Sequence, residues 1–198
     1  MWRWISGLAA VAVLLGGVRQ AEAGPITYTE QATASGTLDG TPFTNALVTL
    51  TFAGNTANVT FNGVLFANFI GTTTVDVAGI GTDTFTHTVG VGDNQSNSIV
   101  GVFDFTRGRS VLDTTNSAFA SYDLTTAIGP LSGESFITPS LTIPTNHGSF
   151  NLSTAGDSTF TATTQPSPVP EPATLTLLGI GISGLIGYGW RRRTLAAS

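Results

Sequence analysis

Two histidines, ten acidic residues and two arginines between the chain's two ends are its candidates for chemistry. His87 stands in an alternating Thr-His-Thr segment, and His147 in the turn Asn146-His147-Gly148. With nearby aspartates, imidazoles make metal sites or acid–base pairs. Here no HxH or HxxxH spacing brings them together, so each is expected to be structural. The segment Gly92-Asp93-Asn94-Gln95-Ser96-Asn97-Ser98 is rich in oxygen donors, the ligands Ca²⁺ prefers. Asp93 is its first candidate ligand. The alternating acids and final Glu of an EF-hand are missing, so a polar hairpin loop is the expectation. Arg107-Gly108-Arg109 could fork onto an anionic polysaccharide. In so acidic a region it is expected to form a turn whose arginines meet Asp104 and Asp113. Gly133-Glu134-Ser135 lacks the second glycine of a strained nucleophile turn, and no carboxylate pair stands out for glycosidase work. Tyr28 and Tyr122 are the candidates for a sugar-stacking platform. Thr82, Thr84, Thr86 and Thr88 form a T-x-T rank of the kind that flat ice-binding faces use. No catalytic residue, no cofactor and no resident metal are expected.

Composition narrows the field. Charged residues make up 10% of the 198, far below the ~25% of ordinary globular proteins. There is no cysteine, which excludes a disulfide scaffold and thiolate chemistry. All seven basic residues are arginine, which excludes a Schiff-base or P-loop lysine. Between residues 24 and 169, two arginines stand against ten acids, a net −8. That balance argues against nucleic acid as a partner.

The elements that must position these residues are strands. All 12 phenylalanines lie in this middle region, which is dense in threonine and glycine and poor in helix formers. Phenylalanine has no polar handle and suits a core. Ala46, Val48, Leu50 and Phe52 alternate with Leu47, Thr49 and Thr51. Similar period-two runs cover 58–61, 82–89, 99–105, 118–124, 141–143, 150–152 and 159–163. Turn signals fall between them at Asp39-Gly40, Gly54-Asn55, Asn62-Gly63, Gly129-Pro130 and Gly156-Asp157. The pattern predicts an all-β domain over 24–163: one antiparallel β-sandwich, jelly-roll-like, or a barrel. A Pro/Ser linker follows at 164–169.

Both ends read as addresses. Residues 1–23 carry Arg3, an apolar stretch and the small-x-small site Ala21-Glu22-Ala23, the pattern of a cleaved signal peptide. Such a peptide implies the Sec translocon and signal peptidase as partners. At the other end, Pro170-Glu171-Pro172 precedes eighteen uncharged residues, Ala173 to Trp190. As a helix these span about 27 Å, close to the hydrocarbon thickness. Arg191, Arg192 and Arg193 follow directly and should stay cytoplasmic, leaving 194–198 as a cytoplasmic tail.

Val-Pro-Glu-Pro-Ala-Thr, a glycine-rich span and a terminal arginine cluster together resemble the PEP-CTERM sorting signal over 170–193. The resemblance implies an exosortase that processes the tail near Pro170-Glu171-Pro172 in the inner membrane of a Gram-negative bacterium. It implies export to the cell surface or extracellular matrix, in an exopolysaccharide or biofilm setting. The middle of the chain is chemically bland, which favours a non-enzymatic structural or adhesive role. The alternatives are a carbohydrate-binding module acting on exopolysaccharide, a hydrolase and an ice-binding surface protein.

Overall fold

The computed structural model describes residues 23–165. The signal peptide with Ala21, the sorting motif Pro170-Glu171-Pro172, the predicted membrane helix and Arg191–Arg193 lie outside the described residues; Ala23 is the first residue inside them.

Twelve antiparallel strands follow one another: β1 (Pro25–Leu38), β2 (Thr41–Asn55), β3 (Thr60–Phe61), β4 (Phe66–Asn68), β5 (Thr72–Val77), β6 (Gly81–Thr84), β7 (Val89–Asn94), β8 (Ile99–Asp104), β9 (Arg109–Thr115), β10 (Ile128–Phe136), β11 (Ile143–Pro144) and β12 (Ser149–Thr164). The only helices among the described residues are three short 3-10 turns. None is long and apolar enough to cross a membrane.

The three longest strands lie side by side in the order β12-β1-β2. β1 and β2 meet at Asp39-Gly40, where φ is +52° and +80°. Two successive positive φ values match the twist of a tight hairpin, and Asp-Gly is a pair that tolerates them. β1 turns Ile26, Tyr28, Glu30, Ala32 and Ala34 inward. β2 does the same with Val48, Leu50 and Phe52, the face its alternation predicts.

β5 and β6 extend the sheet beyond β2. On the other side β10 leads to β9, β8, β7, β4 and β3. β10 is the seam. Its residues Ile128 to Gly133 pair with β12, and Glu134 to Phe136 pair with β9. At the changeover a Cβ on Gly133 would sit 1.8 Å from the Thr115 carbonyl oxygen, so only glycine lets the strands approach.

The sheet therefore never separates into two. It curls until the inward faces of β7, β8 and β9 (Val91, Val100, Val102, Leu112) share one core with Tyr28, Phe52, Val75 and Phe160. The all-β antiparallel class is as predicted, while the architecture is one open, curled half-barrel in place of the jelly-roll-like sandwich or barrel. The physical reason is twofold. β10 hydrogen-bonds on both sides, while the end strands β3 and β6 are short and do not pair with each other.

Four local expectations change as well. Residues 118–124 are not a strand: Ser117–Ser121 form a 3-10 turn capped by Asn116, with Phe119 pressed into the core. Gly156-Asp157 makes no turn but lies inside β12, opposite an irregularity in the pairing with β1. Thr164 ends β12 rather than beginning the linker. The threonine rank breaks after Thr84, because Phe85 bridges to Thr145 and the chain bends away.

Candidate functional site

Arg107 is held where β8 turns into β9. The buried Asp104 carboxylate accepts the backbone N–H groups of Thr106 and Arg107, and Arg107 Nη1 at 2.7 Å. The same Nη1 lies 2.8 Å from His87 Nδ1. A guanidinium has no acceptor, so Nδ1 is the acceptor here and the ring proton sits on Nε2. Arg107 thus meets Asp104 as expected, and His87 is tied to that pair. Arg109 is exposed and makes no ion pair with Asp113 among the described residues.

Both tyrosines of the domain are buried. Tyr122 is 5% exposed, and its hydroxyl donates to the Thr126 carbonyl at 2.8 Å. Tyr28 donates to the Leu124 carbonyl. Burial pushes the Tyr28 phenol up to about 12. Neither ring can serve as a surface platform for sugar.

Asp93 is not in an oxygen-lined loop. It is an inward residue of β7 with no exposure, and neither carboxylate oxygen has a hydrogen-bond partner. Burial, with the charge of Asp123 adding, pushes its carboxyl up to about 7. Gln95–Asn97 form a 3-10 turn capped by Asn94, so the oxygen donors of 92–98 are divided between a strand end and a short turn.

Two further carboxylates are buried without an arginine. Glu30 accepts from the Thr114 hydroxyl, which also lies 2.6 Å from Ser158 Oγ. Its pKa is raised well above the usual range, chiefly by burial. Asp113 accepts from Ser110, and burial pushes it up to about 8.

Asp113 also lines a cavity of about 520 Å³ on the outer side of β8 and β9. Ile99, Phe103, Phe136 and Ile137 supply apolar walls, and Arg109 contributes charge. Phe136 is 57% exposed. Phe103 continues into an aromatic row through Phe105, at 6.2 Å, and Phe69, at 5.2 Å from Phe105. The expectation that phenylalanine serves only the core is therefore corrected.

A third group lies away from both arginines. Asp39 in the β1–β2 turn, Asp83 on β6 and His147 in the turn after β11 bring one ligand-type atom each within 4.8 Å of one another. Asp83 is almost wholly buried and accepts N–H groups from Thr84 at 2.7 Å and His147 at 3.0 Å. His147 Nδ1 lies 3.1 Å from Asp83 Oδ1. The Thr145 hydroxyl donates to Asp39 at 2.6 Å and accepts from Gly148 N–H. Burial works to raise the Asp83 carboxyl. The N–H groups of Thr84 and His147 and the His147 ring outweigh it and hold the group well below the usual carboxylate range.

Beyond this domain, residues 168–193 match the PEP-CTERM protein-sorting motif. The chain carries a PEP-CTERM sorting signal. Pro170, Glu171, Pro172 and Arg191–Arg193 all fall inside the matched span. A PEP-CTERM signal implies exosortase-dependent processing at a membrane and an exported protein. No curated protein and no solved structure matches the chain.

Proposed function

We propose that the protein is a non-enzymatic structural or adhesive component of the cell surface or extracellular matrix, in an exopolysaccharide or biofilm setting. The PEP-CTERM match at 168–193 carries this reading. On it, the Sec translocon and signal peptidase handle residues 1–23 of a Gram-negative precursor. The uncharged stretch Ala173–Trp190 holds the protein in the inner membrane until exosortase acts, and the β domain then leaves for the surface. Intact-mass measurement on fractionated native cells tests the sorting. The expected species lacks residues 1–23 and everything after the Pro-Glu-Pro region, and is found outside the inner membrane. A species that keeps Arg191–Arg193 in the inner membrane overturns it.

The aromatic cavity favours a second reading, a carbohydrate-binding module for exopolysaccharide. Sugar rings present C–H faces to aromatic rings and hydroxyls to polar groups, and Phe136, Phe103, Arg109 and Asp113 offer both kinds of contact. Retention on the native polysaccharide should fall severalfold in Phe136→Ala. If the wild type is not retained, this reading is lost.

A further inference from the structure

We propose that Asp39, Asp83 and His147 form a binding site for a borderline divalent cation of the Zn²⁺ type. Their donor atoms already lie within 4.8 Å of one another, although the residues come from three separate turns and strands. The set is mixed, with two carboxylates and one imidazole. That donor combination suits borderline ions, whereas Ca²⁺ prefers oxygen alone.

The charge of the group points the same way. Asp83 is a carboxylate with 2% side-chain exposure, set beside a second carboxylate. Buried carboxylates ordinarily have a cationic partner. Among the described residues neither arginine pairs with Asp39 or Asp83, and Arg107 is committed to Asp104. Only the His147 imidazole stands opposite, with a side chain that is 77% exposed. A divalent ion set between His147 Nδ1, Asp83 Oδ1 and Asp39 would compensate the charge of both carboxylates.

Each ligand is also oriented from behind. The N–H groups of Thr84 and His147 aim the Asp83 carboxylate, and Thr145 aims Asp39. Outer partners of this kind are what fix metal ligands in place. His147 is exposed and Asp39 is only partly covered, which leaves an entry path and room for water as a further ligand.

The test is a Zn²⁺ titration of the full-length protein in detergent, followed by calorimetry and by the unfolding temperature. One saturable equivalent and a rise in unfolding temperature are expected for the wild type. Two variants keep the fold. His147→Ala removes an exposed ring, and Asp39→Asn retains a residue that accepts positive φ. Each should weaken Zn²⁺ binding at least tenfold and shrink the thermal shift. His87→Ala, at the other histidine, should bind as the wild type does. No saturable binding, or equal affinity in the wild type, His147→Ala and Asp39→Asn, overturns the site. So does binding that His87→Ala weakens as much as His147→Ala.

Discussion

Stability should fall as the pH is raised from about 4 to about 8, the reverse of the trend that salt-bridged carboxylates impose. Glu30, Asp93 and Asp113 are raised in the folded protein and ordinary once unfolded. Between the two pKa values the folded chain holds a proton that the unfolded chain has released. The unfolded state therefore binds fewer protons, and stability decreases with pH. The contribution is complete below about 4 and is lost as pH rises through the folded values, about 7 for Asp93 and about 8 for Asp113. At roughly 1.4 kcal/mol per pKa unit, relaxation of the site still leaves a loss of about 2–5 kcal/mol for Asp113. Asp83 acts oppositely. Its stabilisation is present above its ordinary value and disappears as the pH falls below about 4. The optimum should lie near pH 4–5. Urea midpoints between pH 3 and pH 9 would show it. Asp113→Asn should flatten the alkaline limb and match or exceed the wild type at pH 9. A wild-type profile that rises towards pH 8 would mean that these carboxylates ionise freely in the fold.

Phe160→Ala is expected to cost about 3–5 kcal/mol, the range for an aromatic ring removed from a packed core. Phe160 has no exposure and lies on β12, the strand that pairs with β1, β10 and β11. Phe119, Tyr28 and Tyr122 surround its ring at 5.6, 6.1 and 6.2 Å. A loss of that size removes about a fifth or more of a typical domain's ~5–15 kcal/mol. Phe61→Ala is the contrast. Phe61 is 57% exposed on the two-residue edge strand β3 and stacks only on Phe66. Its removal should cost less than about 1 kcal/mol. Chemical unfolding of the two variants beside the wild type separates them. Equal losses would place the centre of the core elsewhere.

What was readable from the chain alone was local or linear. Period-two alternation makes Val48-Leu50-Phe52 an inward rank whatever lies above it, and Asp39-Gly40 makes its own hairpin turn. The sorting signal is a contiguous stretch, so its residues carry the signal by order and spacing. The strand class of the domain followed from the same short-range physics. β1 escaped because its inner rank mixes Tyr28 and Glu30 with alanines, and that mixture has no clear apolar face until β9 and β12 supply Thr114 and Ser158.

The tertiary structure decided everything that depends on distant partners. Gly133 shows no sign in sequence that it sits at a seam, because the obstacle to a side chain there is the carbonyl of Thr115 on another strand. Alternation alone sends the neighbours Phe103 and Asp104 to opposite faces of β8, but only the fold lines a cavity with the first and buries the second. Asp39, Asp83 and His147 have no motif spacing because they arrive from three separate segments. Sequence by itself determined the address and the strand-forming character of this protein, which rest on adjacent residues. Only the fold decided which of its few charged groups meet, because a curled sheet brings together side chains that chain order keeps apart.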